Sequence, residues 1–153
     1  MNIKAMSECL HTTLNMCLKG DDMRTIKIFV SLPMKGLSDD KIMEAFLESD
    51  TQLKELFDGY DIKVMHQTLG SAIPEDEVRQ YTHPELYFFG SGIKELMSKS
   101  DIVAFYPGWK VARGCNAEYQ LAKAYGIPVL DLEAIICPED IRNIISKLNL
   151  PEG

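Results

Sequence analysis

A chain of 153 residues with 46% apolar and 25% charged residues has the length and balance of one globular domain, large enough to bury a core without a disulfide or metal staple. Its net charge of −7 argues against a protein that grips long nucleic acid, which needs a basic stripe. A nucleoside or mononucleotide is compatible with it, because a few local donors hold one phosphate.

Along the chain, Met1–Leu18 spaces Ile3, Met6, Leu10, Leu14 and Cys17 at three- and four-residue steps, the stripe of an amphipathic helix. Gly20, Asp21 and Asp22 break it. Residues 1–22 therefore read as an N-terminal helical extension and residues 23–153 as the main domain. Thr25–Ser31 (TIKIFVS) is a β-rich apolar run, typical of a buried parallel strand, and Pro33 and Gly36 interrupt it. Ser38 is a good N-cap, with Asp39 and Asp40 in the first turn that follows. Ile42, Phe46, Leu53, Leu56 and Phe57 mark the apolar face of that helix, and Gly59 stops it.

Asp61–His66 reads as a second strand. Gln67–Gly90 is the least regular stretch, with helix starts suggested at Pro74 and after His83, and a connection of this length is often a lid or binding loop. Ile93–Lys99 reads as a helix end and Asp101–Tyr106 as a third strand. A loop containing Pro107, Gly108 and Trp109 leads to a helix over Gly114–Tyr125. Ile127–Leu130 is a fourth strand. A closing helix, Pro138–Leu148, turns Ile141, Ile144, Ile145 and Leu148 inward.

Strands that alternate with helices predict a three-layer, Rossmann-like or flavodoxin-like α/β domain with right-handed crossovers. The expected sheet is parallel, with four or five strands in the order 2-1-3-4. In that order the connections reverse between the first and third strands, and ligands bind at the carboxyl ends of the strands beside such a reversal. The loops there are Ser31–Gly36 and Tyr106–Gly114.

The first loop, SLPMKG, is neither a dinucleotide GxGxxG nor a Walker loop, yet it offers the Ser31 hydroxyl and backbone N–H groups to a ligand. A plain strand-to-helix turn reads equally well. In the second segment Glu118, Leu121, Ala122 and Tyr125 share one helix face, and the last three look like core. An acid on the inward edge of a helix at the ligand end of a sheet is a functional candidate; a first-turn glutamate that complements the helix dipole is the plainer reading. Trp109 is either a platform for a base or an anchor for the loop. Arg113 is either a phosphate partner or a solvent-facing arginine.

Cys9, Cys17, Cys115 and Cys137 show no CxxC spacing, and His11, His66 and His83 no metal-ligand spacing, so neither metal nor other cofactor is expected. With no apolar leader and no run of membrane-span length, a cytoplasmic protein without membrane contact is the expectation.

KIFVSLPMKG, followed by ELMSKSDIVAFYPGWKVARGCNAEYQLAKAYGIPV, resembles the nucleoside 2-deoxyribosyltransferase-like superfamily, and more narrowly its small bacterial and phage branch of unknown function. The resemblance covers Lys27 to about Leu130. It implies that Glu118 is a nucleophile that attacks the anomeric carbon of a nucleoside or nucleotide and expels the base, after which water or a second base resolves the glycosyl-enzyme. It places Ser31, Leu32, Pro33, Met34 and Gly36 along the sugar or phosphate, with Arg113 and Gly114 beside it, and it implies a homodimer or higher homo-oligomer; Tyr106 and Trp109, from the second loop, complete the expected substrate-binding set.

The chain departs from the transferase pattern at several points. Phe29 stands where a tyrosine steadies the nucleophile, Leu32-Pro33 where the pattern has Gly-Pro, and Ala112 where it has aspartate; the acid expected near Gly92 to engage the base is missing. Two functions follow, beside the plainer option of a structural oligomer whose pocket is vestigial. One is cleavage or exchange of an N-glycosidic bond; the other is a binding module that senses or sequesters a nucleotide-derived molecule without turnover.

Overall fold

A computed structural model describes residues 24–67 and 75–148. The expected N-terminal helix and the helix start at Pro74 lie outside the described residues. Four strands form one parallel sheet: β1 (Ile26–Ser31), β2 (Ile62–Met65), β3 (Ile102–Phe105) and β4 (Val129–Asp131), in the order β2-β1-β3-β4. The helices are α1 (Asp39–Leu56), the short α2 (Glu75–Val78), α3 (Pro84–Glu95), α4 (Arg113–Ala124) and α5 (Pro138–Ser146). This is the predicted Rossmann-like architecture with the predicted strand order.

The period of two along each strand divides the core. Ile26, Ile28 and Val30 of β1, with Ile102 and Ala104 of β3, pack against Leu53 and Phe57 at the end of α1 and against Ile141 and Ile144 of α5. The alternate residues, Phe29 of β1 with Val103 and Phe105 of β3, pack against Met97, Trp109 and the Cys115 and Ala122 positions of α4. Helices therefore cover both faces, as strands this apolar require. Ser31 shares its parity with Phe29 and so belongs to the α4 face. Its register partner is Phe105, the last residue of β3.

Local chemistry sets the element ends. Ser38 caps α1, accepting a hydrogen bond from the Lys41 N–H at 3.4 Å. That helix ends at Leu56, before Gly59, which takes φ +88° in the turn that follows. The fourth strand starts two residues later than expected. The Ile127 N–H is held by the Ala122 carbonyl (2.8 Å), and Pro128 has no N–H to give, so the ladder begins at Val129. Tyr125, expected to turn inward, is 79% exposed. It is the C-cap of α4, and the chain leaves helical geometry there to turn through Gly126 (φ +69°), which leaves the ring in solvent.

Leu53, fully buried between α1 and the sheet, and Leu47, on the exposed side of the same helix, give a direct test of this packing. Leu53→Ala should cost about 2–5 kcal/mol in urea unfolding, whereas Leu47→Ala should stay within about 0.5 kcal/mol of the wild type.

Candidate functional site

The strand order reverses between β1 and β3, and the loops that leave their carboxyl ends meet there. The Tyr106 N–H donates to the Ser31 carbonyl at 3.0 Å, which ties the two loop roots together. Gly108 then adopts φ +92°, a conformation that strains any residue with a Cβ, and a Cβ built there would lie 3.7 Å from Pro33 Cγ of the other loop. A 3-10 turn, Trp109–Val111, leads into α4. Asn116 fastens that turn to the helix, its Nδ2 donating to the carbonyls of Trp109, Lys110 and Ala112 at 3.2, 2.7 and 2.9 Å.

Between these loops lies a cavity of about 780 Å³, within the range of small-molecule sites. Ser31, Leu32, Pro33 and Met34 line it from the first loop, and Arg113, Gly114 and Glu118 from the start of α4. The inward stripe of α4 is Cys115, Glu118 and Ala122, one helical turn apart. Ala122 reaches the core, whereas Cys115 and Glu118 reach the cavity.

Glu118 is only 7% exposed, and the Ser31 hydroxyl, itself buried, donates a hydrogen bond to its Oε2. Burial disfavours the ionised carboxyl and the Ser31 hydrogen bond favours it; burial prevails and pushes the carboxyl up to about 6. The Cys115 thiol is pushed up as well, chiefly by burial, with the Glu118 carboxylate adding to the shift and the neighbouring Ser31 hydroxyl opposing it. The N-cap of α4 is Ala112, which offers no side-chain cap, and no acid occupies the first turn.

Three residues expected along the site do not line the cavity. Trp109 is buried, its ring 4.9 Å from that of Phe105 and 4.8 Å from that of Tyr119, and its Nε1 donates to Asp131 Oδ1 at 3.0 Å. It is the anchor of the loop, with no free face for a base. Tyr106, one residue beyond Phe105, turns to the opposite side of the sheet and donates its hydroxyl to Glu48 of α1 at 2.6 Å. That hydrogen bond, with burial behind it, pushes the phenol up to about 12. Gly36 sits past the cavity in the turn before α1, at φ +82°. Arg113 lines the cavity but is 85% exposed on its side chain, with Nη2 3.8 Å from Glu85 Oε1 of α3.

Residue-by-residue reading of the sequence passed over Phe46, Gln67, Glu85, Phe88, Phe89 and Cys115, all of which line the cavity. Cys115 carries a legible signal, since it lies three residues before Glu118 on the same stripe. Four of the others come from the irregular Gln67–Gly90 stretch, where only the general role of a binding loop was legible. His66, which ends that approach, stacks on Phe46 at 4.2 Å and bonds Asp50 of α1 through Nε2 at 2.6 Å. Among the described residues, no group of three or more His, Cys, Asp or Glu is placed to hold a metal ion, and no helix is long and apolar enough to cross a membrane.

Fold and site together define a Rossmann-like α/β domain with a cavity at the carboxyl ends of a parallel sheet, where the strand order reverses. The chain belongs to the family described as Domain of unknown function (DUF4406), whose model matches residues 26–131, from the first residue of β1 to the last of β4. Nothing among curated proteins and nothing among solved structures matches the chain.

The raised carboxyl makes Glu118 a cost to the fold at neutral pH. A carboxyl bound more tightly to its proton in the folded state stabilises fully below the unfolded value of 4.5, and that stability is lost as pH rises through about 6. Relative to Glu118→Gln, the wild type should lose on the order of 2 kcal/mol between these limits, and the variant should be the more stable protein at pH 7. Urea unfolding of both proteins at pH 4.5, 5.5 and 7 measures the difference.

Proposed function

We propose that this protein cleaves or exchanges the N-glycosidic bond of a nucleoside or nucleotide, with Glu118 as the nucleophile. The observation that carries the reading is the Glu118 carboxyl itself, buried, held by one hydroxyl and lining a cavity of about 780 Å³ at the strand-order reversal. Structural acids of this kind ordinarily sit in solvent or pair with a cation; an acid kept in a cavity wall at the fold's stability cost marks a site. The sequence's resemblance to the deoxyribosyltransferase-like superfamily supports the reading, since it implies a nucleophile at the same residue.

In the reaction a carboxylate lone pair forms a bond to the anomeric carbon. The C–N bond breaks, and its electron pair leaves with the base. Water or a second base then attacks the same carbon and releases the carboxylate, so that two inversions give retention. The aromatic rings of Phe46, Phe88 and Phe89 line the cavity as an apolar wall for the base. The same reading brings a homo-oligomer with it. Val111, at the cavity and 92% exposed, and Leu86 on α3, 64% exposed, are apolar groups that a second copy would cover.

A non-catalytic binder of a nucleotide-derived molecule is the second reading. Phe29 favours it, because its ring lies in the cavity wall where the transferases carry a hydroxyl.

A panel of nucleosides and their 5′-monophosphates, scored for free base by chromatography and for thermal shift, separates the two. Release from at least one member is expected, and Glu118→Gln should lower it by on the order of a thousandfold or more while binding survives. Since the carboxylate is the attacking form, kcat/KM should rise with pH and level off above about 6. A thermal shift with no release from any member makes the protein a binder, and equal release from both proteins removes Glu118 from the mechanism.

A further inference from the structure

We infer that Ser31 is the positioning residue of Glu118, its hydroxyl holding carboxylate oxygen Oε2 so that Oε1 is the atom that attacks. This rests on the nucleophile reading above and replaces the ligand contact that the loop sequence suggested for Ser31.

The placement is rigid. Ser31 is the last residue of β1; its carbonyl accepts the Tyr106 N–H at 3.0 Å, and its side chain is buried. The two-residue alternation that sends Phe29 toward α4 sends Ser31 the same way, and the Glu118 position on the inward stripe of α4 brings the carboxyl to it. A hydroxyl has one proton to donate. Here it is given to Glu118 Oε2, so Ser31 has no proton left for a ligand.

The two carboxylate oxygens are thereby made unequal. The oxygen that accepts the hydrogen bond carries less available charge and suits the carbonyl oxygen of a glycosyl ester. The other is the better nucleophile. When an Oε1 lone pair bonds to the anomeric carbon, the C–N pair leaves with the base nitrogen and the Ser31 proton stays on Ser31. Oε2 becomes the ester carbonyl oxygen and keeps the same hydrogen bond until water or a second base restores the carboxylate. Ser31 thus does for the nucleophile what Phe29, without a hydroxyl, does not.

The ionisable groups around this pair are few. Cys115 of α4 lies beside both partners and is held neutral by burial. Lys35, of the loop after β1, Arg113 of α4 and Glu85 of α3 line the same cavity, and the last two face each other. Ser31 does not titrate in the working range, so the pH dependence it controls is that of Glu118.

The test has an arm that needs no substrate. In the full-length protein, the Glu118 carboxyl is titrated by carbon-13 NMR and assigned by its absence in Glu118→Gln. Ser31→Ala, smaller than the wild-type side chain, should move the midpoint to higher pH, and Ser31→Cys, a weaker donor, should fall between. On any nucleoside that the wild type turns over, Ser31→Ala should lower kcat about ten- to a hundredfold, leave KM near the wild-type value and shift the acid limb of the pH profile upward. An unchanged titration with unchanged kcat overturns the inference while leaving Glu118 as nucleophile. A raised KM with unchanged titration returns Ser31 to ligand binding and also overturns it. If the wild type releases no base, the attacking-atom assignment falls with the nucleophile reading, and the titration alone decides the pairing.

Discussion

A single hydrogen bond, from the hydroxyl at the end of β1 to the carboxyl on α4, sets the demands that the surrounding structure meets. An ionised carboxylate taken out of water costs several kcal/mol unless donors replace the lost solvent. Glu118 receives one described donor, and its carboxyl rises to about 6. A second donor or a cation on the carboxylate would bring it back toward the ordinary range. With Ser31 as its one described donor, the group is ionised at neutral pH yet weakly satisfied.

Holding that pair in place requires a stiff frame behind it. Several of the segments around the cavity are tied down by contacts distant in sequence. The turn before α4 is anchored by the Trp109 ring between Phe105 and Tyr119, with the indole N–H on Asp131. The Asp131 carboxylate also accepts the Glu133 N–H at 3.0 Å, so the end of β4 serves as the fixed point for that loop. The end of β2 is fixed by His66 against Asp50 and Phe46, and the end of β3 by the Tyr106 hydroxyl on Glu48. Both of these contacts go to α1, whose own core side is closed by Leu53 and Phe57. A site with parts from β1, α1, α3, α4 and the end of β2 keeps its geometry only when those elements do not slide past one another.

Elements with a long periodic signal were legible in the sequence, and orientations that depend on a single bond were not. The apolar runs of β1 and β3 and the stripe of α4 fixed the sheet, its order and the acid at its edge, since burial on both faces leaves few alternatives. Trp109 and Tyr106 could not be oriented in advance. Each sits one residue from a strand or turn end, where a shift of one position reverses the face, and the acceptor that captures each, Asp131 or Glu48, is distant in sequence. Tyr125 fitted the helix stripe by spacing, but the helix stopped at it. Phe88 and Phe89 lay in a stretch with no dominant period, so nothing local pointed either ring to the cavity.

The character of the cavity wall bears on what it can hold. The acid, the thiol and the start of α4 form one part of the wall, and Phe46, Phe88, Phe89 and Gln67, from α1, α3 and the chain just after β2, form another. A ligand that fills the cavity therefore meets an apolar aromatic surface with one amide, and also a carboxylate. A free sugar satisfies the carboxylate and leaves the aromatic wall wet. A flat apolar molecule satisfies the aromatic surface and forces the carboxylate to lose water for nothing, at a cost that exceeds the stacking gained. The proposed substrate, a planar heterocycle joined to a sugar, would meet both, and the junction between its two halves is the bond that the proposed reaction breaks.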